Sequence, residues 1–172
     1  MPLPVAHGAV GAGLVALVRA NSSVRRDWKM LLAGAALAIT PDLDFFFLWV
    51  LHLRGWHRGF THSITMAVVV TALLFALLGK RRARDVIAYG LAFLSHGLLD
   101  FATTKSAGGV ELFWPFSTER FKLGLIDFLE LPSGYSISEI IKYSLIELAV
   151  FVPVLLLVLL LREYMFPKIR SA

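Results

Sequence analysis

The sequence predicts an all-α protein, a polytopic membrane helix bundle with four to five membrane segments and a broken second helix. Three observations predict it. Of the 172 residues, 58% are hydrophobic and 17% are charged, whereas a soluble domain has about 45–50% apolar and about 25% charged residues; the mean hydropathy is +0.73. Five stretches approach the roughly 20 apolar residues that a membrane helix needs. Lys and Arg gather in three clusters between those stretches, as membrane-flanking loops require.

The first span covers roughly residues 3–19 and is short. Its basic residues (Arg19, Arg25, Arg26, Lys29) follow the apolar run, the reverse of a signal peptide, so it reads as a retained helix. Gly8, Gly11 and Gly13 within it suit close helix approach. The second span, roughly 30–53, is interrupted at Pro41, which cannot continue a helical hydrogen-bond ladder. The third and fourth cover roughly 61–79 and 85–104. The fifth, 141–161, contains VLLLVLLL with Glu147 and Pro153 inside it. Ser136-x-x-Glu139 reads as a capping box that starts it. The chain reads as one membrane-embedded domain over 1–172, with 105–140 as an extracytoplasmic interfacial segment.

The basic clusters are Arg19, Arg25, Arg26, Lys29; then Lys80, Arg81, Arg82, Arg84; then Arg162, Lys168, Arg170. They hold 11 of the 17 Lys and Arg residues. With five spans all three fall on one side, which the positive-inside rule assigns to the cytoplasm of a bacterial or archaeal cytoplasmic (inner) membrane. The N-terminus, residues 54–60 and the 105–140 segment then lie outside.

Several function classes lose support. There is no cysteine, hence no disulfide and no thiolate ligand. The net charge of +5 is spread over loops with no basic, aromatic-interleaved groove, so no nucleic-acid partner is expected. Gly11-Ala-Gly13-Leu-Val-Ala16 loosely matches a dinucleotide fingerprint, but no strand precedes it. There is no G-x-S-x-G elbow. Ser63 and Ser95 each neighbour a His, but adjacent helical residues do not face each other.

The informative residues are ionisable groups inside apolar segments. His7, Asp42, Asp44, His96 and Asp100 lie within such segments, and His57 and His62 bracket the start of another. Ionisable groups at membrane depth are costly and mark functional sites. His and Asp are the ligand types of a zinc-like or manganese-like centre. In the five-span reading all seven fall near one layer, toward the non-cytoplasmic side.

Each motif has a functional and a bland reading. In SHGLLD, His96 and Asp100 are four apart and share a helix face, with Thr103 and Thr104 continuing near it. They either grip a metal or glue two helices by a hydrogen bond. In TPDLDFFF, a regular helix would point Asp42 and Asp44 apart. Either one of them is the ligand or the break turns both inward; the bland alternative is a loop whose Asp residues cap a second short helix. In WHRGFTHS, Gly59 allows a tight turn, Thr61 or Ser63 caps the third helix, and His62 points into the site. Arg58 suits an anionic substrate, unless Trp56, His57 and Arg58 merely anchor at headgroup level. His7 gains meaning from the other elements on its side, whereas His52, beside Arg54, reads as an interface residue. ELFWPFSTERF is either a lid or lipid-facing surface, or an aromatic-belt element.

In order along the chain, His7, PDLD (Pro41–Asp44), HRGFTHS (His57–Ser63), SHGLLD (Ser95–Asp100) and the Gly109 and WPFS (Trp114–Ser117) stretch are similar to the YdjM family of inner-membrane proteins over roughly residues 5–120. The resemblance implies a metal-dependent hydrolase. A remoter likeness links the chain to the zinc-dependent phospholipase C and P1 nuclease group. Its His-x-x-x-Asp pair resembles His96 and Asp100, its earlier Asp resembles Asp42 or Asp44, and a preceding His resembles His62. That group carries further downstream His and Glu ligands, and this chain has no His after His96, so one or two ions is the expectation.

The expectation is therefore a membrane-bound metal-dependent hydrolase that acts on a phosphoester or lipid by metal-activated water. Its metal ligands are His7, Asp42, Asp44, His62, His96 and Asp100. Its catalytic groups are Asp44 (as bridging ligand or general base), His57 (as ligand or proton donor) and Arg58 (as phosphate clamp). The cofactor is a divalent metal, zinc first and manganese second. The partners are the lipid bilayer and a lipid or phosphoester substrate. The alternative is a non-enzymatic protein: a metal or proton transporter, or a scaffold with a structural His/Asp site.

Overall fold

A computed structural model describes residues 2–19, 23–52, 56–105, 108–125 and 136–165. Residues 106–107 and 126–135 of the interfacial segment, and Lys168 and Arg170 of the third basic cluster, lie outside the described residues. The helices are α1 (Pro4–Val18), α2 (Val24–Ile39), α3 (Phe45–Trp49), α4 (Ile64–Leu78), α5 (Ala83–Thr103) and α6 (Ile137–Met165), with short 3-10 turns at Thr40–Asp44, Phe60–His62 and Lys80–Arg82. Among the described residues the only β pairing is an isolated antiparallel bridge between Val110 and Phe121.

Local chemistry explains the helix ends. Pro4 stands in the first turn of α1, where its missing N–H costs nothing. Ser23 caps α2 by accepting from the Arg26 amide. The second helix therefore starts earlier than the apolar run, because Ser23 lets it carry Arg25, Arg26, Asp27 and Lys29 before the hydrophobic stretch begins. Ser63 caps α4 by accepting from the Met66 amide, so Ser63, not Thr61, is the cap. The Ser136–Glu139 capping box is present in both directions.

Three helical segments are long and apolar enough to cross a membrane: Val24–Phe47, Lys80–Thr103 and Ile137–Met165. Pro4–Val18 and Ile64–Leu78 are apolar but shorter, 15 residues each, or about 22 Å at 1.5 Å per residue. Helix α1 packs against α2, α5 and α6, while α4 packs against α5. Gly11 and Gly34 let α1 and α2 touch. A Cβ on Gly11 would lie 2.6 Å from the Gly34 carbonyl oxygen, and one on Gly34 would lie 2.4 Å from Val15 Cγ2. The core joins Ala12, Val15 and Ala16 to Leu31, Ala88, Tyr89 and Ala92. Helix α6 fully buries only Glu147 and Arg162, rests Leu155 and Leu159 on the core and presents most of its remaining apolar surface outward, as a lipid-facing helix does.

The three basic clusters meet at one end of the bundle. Arg19 pairs with Asp85 and, at 3.1 Å, with Asp27. Arg162 Nη2 donates to Asp27 Oδ2 and to the Arg19 carbonyl, both at 2.7 Å. Arg84 Nε donates to the Val18 carbonyl at 2.6 Å. Asp27 and Arg162 are almost completely buried. These ion pairs tie α1, α2, α5 and α6 together at the end opposite His7 and Asp100.

Candidate metal centre

The break at Pro41 builds the first wall of the site. A proline nitrogen has no N–H to give to the carbonyls three and four residues back, Ala38 and Leu37. Thr40 Oγ1 donates to the Leu37 carbonyl at 2.7 Å, and the Ala38 carbonyl accepts from His96 Nδ1 at 2.7 Å. Broken backbone at membrane depth survives only where protein groups satisfy it, and here one of those groups is a site histidine. The 3-10 geometry also turns both carboxylates toward the site. Asp42 faces His62 and His96, while Asp44 faces His57, Arg58 and Thr61. Asp44 precedes α3 without capping it by its side chain.

The loop before α4 builds the second wall. Arg58 adopts a left-handed conformation (φ 61°) in the turn that the sequence reading attributes to Gly59. Gly59 itself has φ −84°. Its role is close approach, since a Cβ there would lie 2.9 Å from the Trp56 carbonyl oxygen, to which its own N–H bonds. Asp44 organises this loop by accepting from the Arg58 amide at 3.1 Å, from Thr61 Oγ1 at 2.8 Å and from His57 Nδ1 at 2.7 Å. On the opposite wall, Gly97 allows α5 to meet the loop, because a Cβ there would lie 2.2 Å from the His62 carbonyl oxygen.

Five side chains converge between these walls. His62 Nε2 and His96 Nε2 lie 3.0 Å apart. Asp42 Oδ1 is 3.3 Å from His96 Nε2 and 3.7 Å from His62 Nε2. Asp100 Oδ2 is 3.6 Å from His62 Nε2, and Asp100 Oδ1 is 3.6 Å from His7 Nε2. The His7 ring stacks on His96 with centroids 3.8 Å apart. His7, His62, His96 and Asp100 are fully or almost fully buried. Both ring nitrogens of His7, both carboxylate oxygens of Asp100 and Asp42 Oδ1 have no hydrogen-bond partner.

The tautomers make this cluster short of donors. Thr61 has one hydroxyl hydrogen, and Asp44 Oδ2 is an acceptor, so that hydrogen points to Asp44. Thr61 Oγ1 must then accept from His62 Nδ1 at 2.9 Å. His96 Nδ1 is likewise the donor to the Ala38 carbonyl. Each neutral ring therefore presents a lone pair at Nε2. Two lone pairs 3.0 Å apart, with two carboxylates beside them, repel unless something positive lies among them. Arg58 supplies part of that charge, its Nε 3.3 Å from Asp100 Oδ2. Among the described residues, three sets converge closely enough to hold an ion: His7, Asp42 and His96; Asp42, His57 and His62; and His62, His96 and Asp100.

Of the residues singled out in the sequence, His7, Asp42, His62, His96 and Asp100 meet in this cluster. Asp44 belongs to none of the three convergent sets. His57 joins the cluster only through its set with Asp42 and His62; it sits at the rim, half-buried, its ring stacked on Phe45 at 4.0 Å. Arg58 is buried against Asp100 instead of lying at a headgroup surface. His52 is exposed and stands apart. Sequence reasoning gave Thr61, the Ala38 carbonyl and Gly97 no part in the centre; a threonine beside a candidate ligand was the one available signal. The Glu111–Phe121 stretch roofs the loop. The Glu111 amide donates to the Arg58 carbonyl and the Ile64 amide to the Leu112 carbonyl, both at 3.0 Å. Trp56, Gly59, Phe60, Glu111 and Trp114 line an open pocket on this roof.

Among the described residues, apolar membrane-length helices and a buried His/Asp cluster whose ligand atoms could hold an ion define a polytopic membrane protein. The chain belongs to the YdjM inner membrane protein family, whose model matches residues 1–168. It is similar to the inner membrane protein YbcI of Escherichia coli (strain K12), with 40% identity over 133 residues that cover 70% of this chain and 72% of the relative. No solved structure matches the chain.

Proposed function

We propose that this protein is a membrane-embedded, metal-dependent hydrolase that directs water against a phosphoester, with a membrane lipid or other amphiphile as substrate. One observation carries the reading: two histidine lone pairs and two carboxylates converge in a buried cluster where Asp42 Oδ1 and both Asp100 oxygens have no hydrogen-bond partner and Arg58 is the one cation beside them among the described residues. Ligand atoms on one tetrahedral zinc at about 2.0–2.1 Å lie about 3.3 Å from each other. The edges joining His62 Nε2, His96 Nε2 and Asp42 Oδ1 measure 3.0, 3.3 and 3.7 Å. His62, His96, Asp42, Asp100 and His7 are the proposed ligands, for one or two ions of zinc or, second, manganese. A bound ion would supply hydroxide near neutral pH and polarise the phosphoryl oxygen.

The remaining groups have roles that follow from their bonds. Asp44 fixes His57 with Nδ1–H as donor, so His57 Nε2 is free to take a proton from an attacking water and return it to a leaving oxygen. Asp44 is thus a positioning residue instead of a bridging ligand. Arg58 balances Asp100 and offers its guanidinium to an anionic substrate group. The roof stretch exposes Phe116, Leu123 and Leu125, which suits a lipid approaching from the bilayer interface, on the non-cytoplasmic side.

A transporter needs polar positions through the whole bundle. Between the cluster and the Arg19–Asp27 ion pairs lies an apolar layer of Val15, Ala16, Leu31, Ala88 and Ala92, which supports a one-sided site. The test is metal content by mass spectrometry on detergent-purified protein, followed by hydrolysis of phospholipids and model phosphoesters. One or two equivalents of metal with hydrolysis support the reading. A metal-loaded, folded protein that cleaves none of these substrates overturns the hydrolase, and a folded wild type that takes up no metal overturns the centre.

A further inference from the structure

We infer that Glu147, in the middle of the lipid-facing helix α6, is a positioning residue for the centre and acts through His7. The inference rests on the metal reading above. Helix α6 carries no residue of the cluster, and its membrane-spanning stretch is the least buried of the three. Yet Glu147 is 1% exposed, although a carboxylate at membrane depth is costly without partners.

Its partners lie at the start of α1. Glu147 Oε1 accepts from the Leu3 amide, and Oε2 accepts from the Ala6 amide at 3.0 Å. The first amides of a helix have no partner within it, and the residue preceding α1, Leu3, has no side chain able to cap. Pro4 removes one of the four orphan donors. Glu147 thus serves two of the other three from a neighbouring helix, its acceptor oxygens set at the positive end of the helix dipole.

His7 follows Ala6 directly. Its ring makes no hydrogen bond that would orient it; it has only the stacking on His96 and the approach to Asp100. The other two clustered histidines are each fixed at Nδ1, His62 by Thr61 and His96 by Ala38. For His7 the fixing element is the backbone of its own first turn, and Glu147 holds that turn. The C-terminal helix, which carries no motif, is in this way part of the centre.

The test is a double-mutant cycle on zinc affinity, measured by chelator competition on the full-length protein in detergent, with E147A, H7A and H7A/E147A. Far-UV circular dichroism and gel filtration establish folding, and E147Q, which keeps the shape, replaces E147A if the latter does not fold. The expected result is about tenfold weaker zinc binding in E147A, the scale of lost supporting contacts at metal sites. The double variant should bind no more weakly than H7A alone, because Glu147 acts through that ring. Zinc affinity unchanged in E147A and E147Q overturns the inference and leaves the metal reading intact. So does a double variant weakened by the full product of the single effects. A wild type that binds no zinc overturns the metal reading first, and this coupling with it.

Discussion

Gly97 stands against the backbone of His62. A Cβ at position 97 would lie 2.2 Å from the His62 carbonyl oxygen, closer than any real contact. Helix α5 can bring His96 to the loop that carries His62 only because residue 97 has no side chain. Replacing a mid-helix glycine by alanine ordinarily stabilises by about 0.5–1 kcal/mol. At this position the clash should outweigh that gain, so G97A should lower the unfolding temperature and weaken metal binding. Gly13 is the control: a Cβ there meets only Leu155 Cδ1 at 3.7 Å, an ordinary contact. Thermal unfolding and chelator competition on G97A and G13A check the contrast; equal behaviour of the two would refute it.

The paired variant H96A/D100A removes both of the proposed ligands that α5 contributes. It should fold and lose bound metal, read by mass spectrometry. Stripping the metal from wild type with a chelator should lower its thermal midpoint, since a ligand that binds only the folded state stabilises it by mass action. The variant should be indifferent to the chelator.

Thr61 fixes the tautomer of His62 through a hydrogen bond whose direction Asp44 dictates. T61V removes the hydroxyl and should weaken metal binding about 10–100-fold, the usual scale for losing such a partner. T61S should restore most of it. Nitrogen chemical shifts of the histidines should show His62 protonated at Nδ1 in wild type and T61S, and a mixture of tautomers in T61V.

His57 shares one convergent set with Asp42 and His62, but it sits at the rim and its Nδ1 is held by Asp44. H57Q should therefore retain nearly all the metal while kcat falls about 10²–10⁴-fold, the range for a lost general acid–base. D44N should lower kcat as well, by leaving the ring unfixed. Metal loss in H57Q equal to that in H96A/D100A would make His57 a ligand instead.

The opposite end of the bundle should be separable from the centre. Asp27 accepts from Arg19 and Arg162 while almost completely buried. D27A leaves the buried Arg162 guanidinium, and the partly exposed one of Arg19, without that partner; breaking a buried pair typically costs about 3–5 kcal/mol. Denaturant or thermal unfolding should show the loss, and metal stoichiometry in the folded fraction should stay at the wild-type value. A changed stoichiometry would mean that the two ends are coupled.

The sequence by itself determined the class of fold and the composition of the cluster. Membrane-length apolar runs allow a helix and little else, because every backbone group in lipid must be paired within the chain. Pro41 announced the break for a local reason, its missing N–H. Histidines and aspartates stood out because such residues are costly in apolar surroundings. Basic clusters predicted which helix ends meet, and Arg19, Arg84 and Arg162 do meet. Only the tertiary structure decided how the work is divided among these residues. Asp42 and Asp44 are two positions apart and chemically identical, yet one faces the Nε2 atoms of His62 and His96 and the other holds the loop through His57 Nδ1, the Arg58 amide and Thr61. The difference arises from the 3-10 turn and from what α5 and the 56–64 loop place beside each carboxylate. In the turn around Gly59 it is Arg58 that is left-handed, held by the bonds of its amide to Asp44 and of its carbonyl to the Glu111 amide. Thr61, the Ala38 carbonyl, Gly97 and Glu147 have partners 17 to 144 residues away. No local pattern encodes such pairings. They follow from which surfaces the packed helices bring within hydrogen-bonding distance.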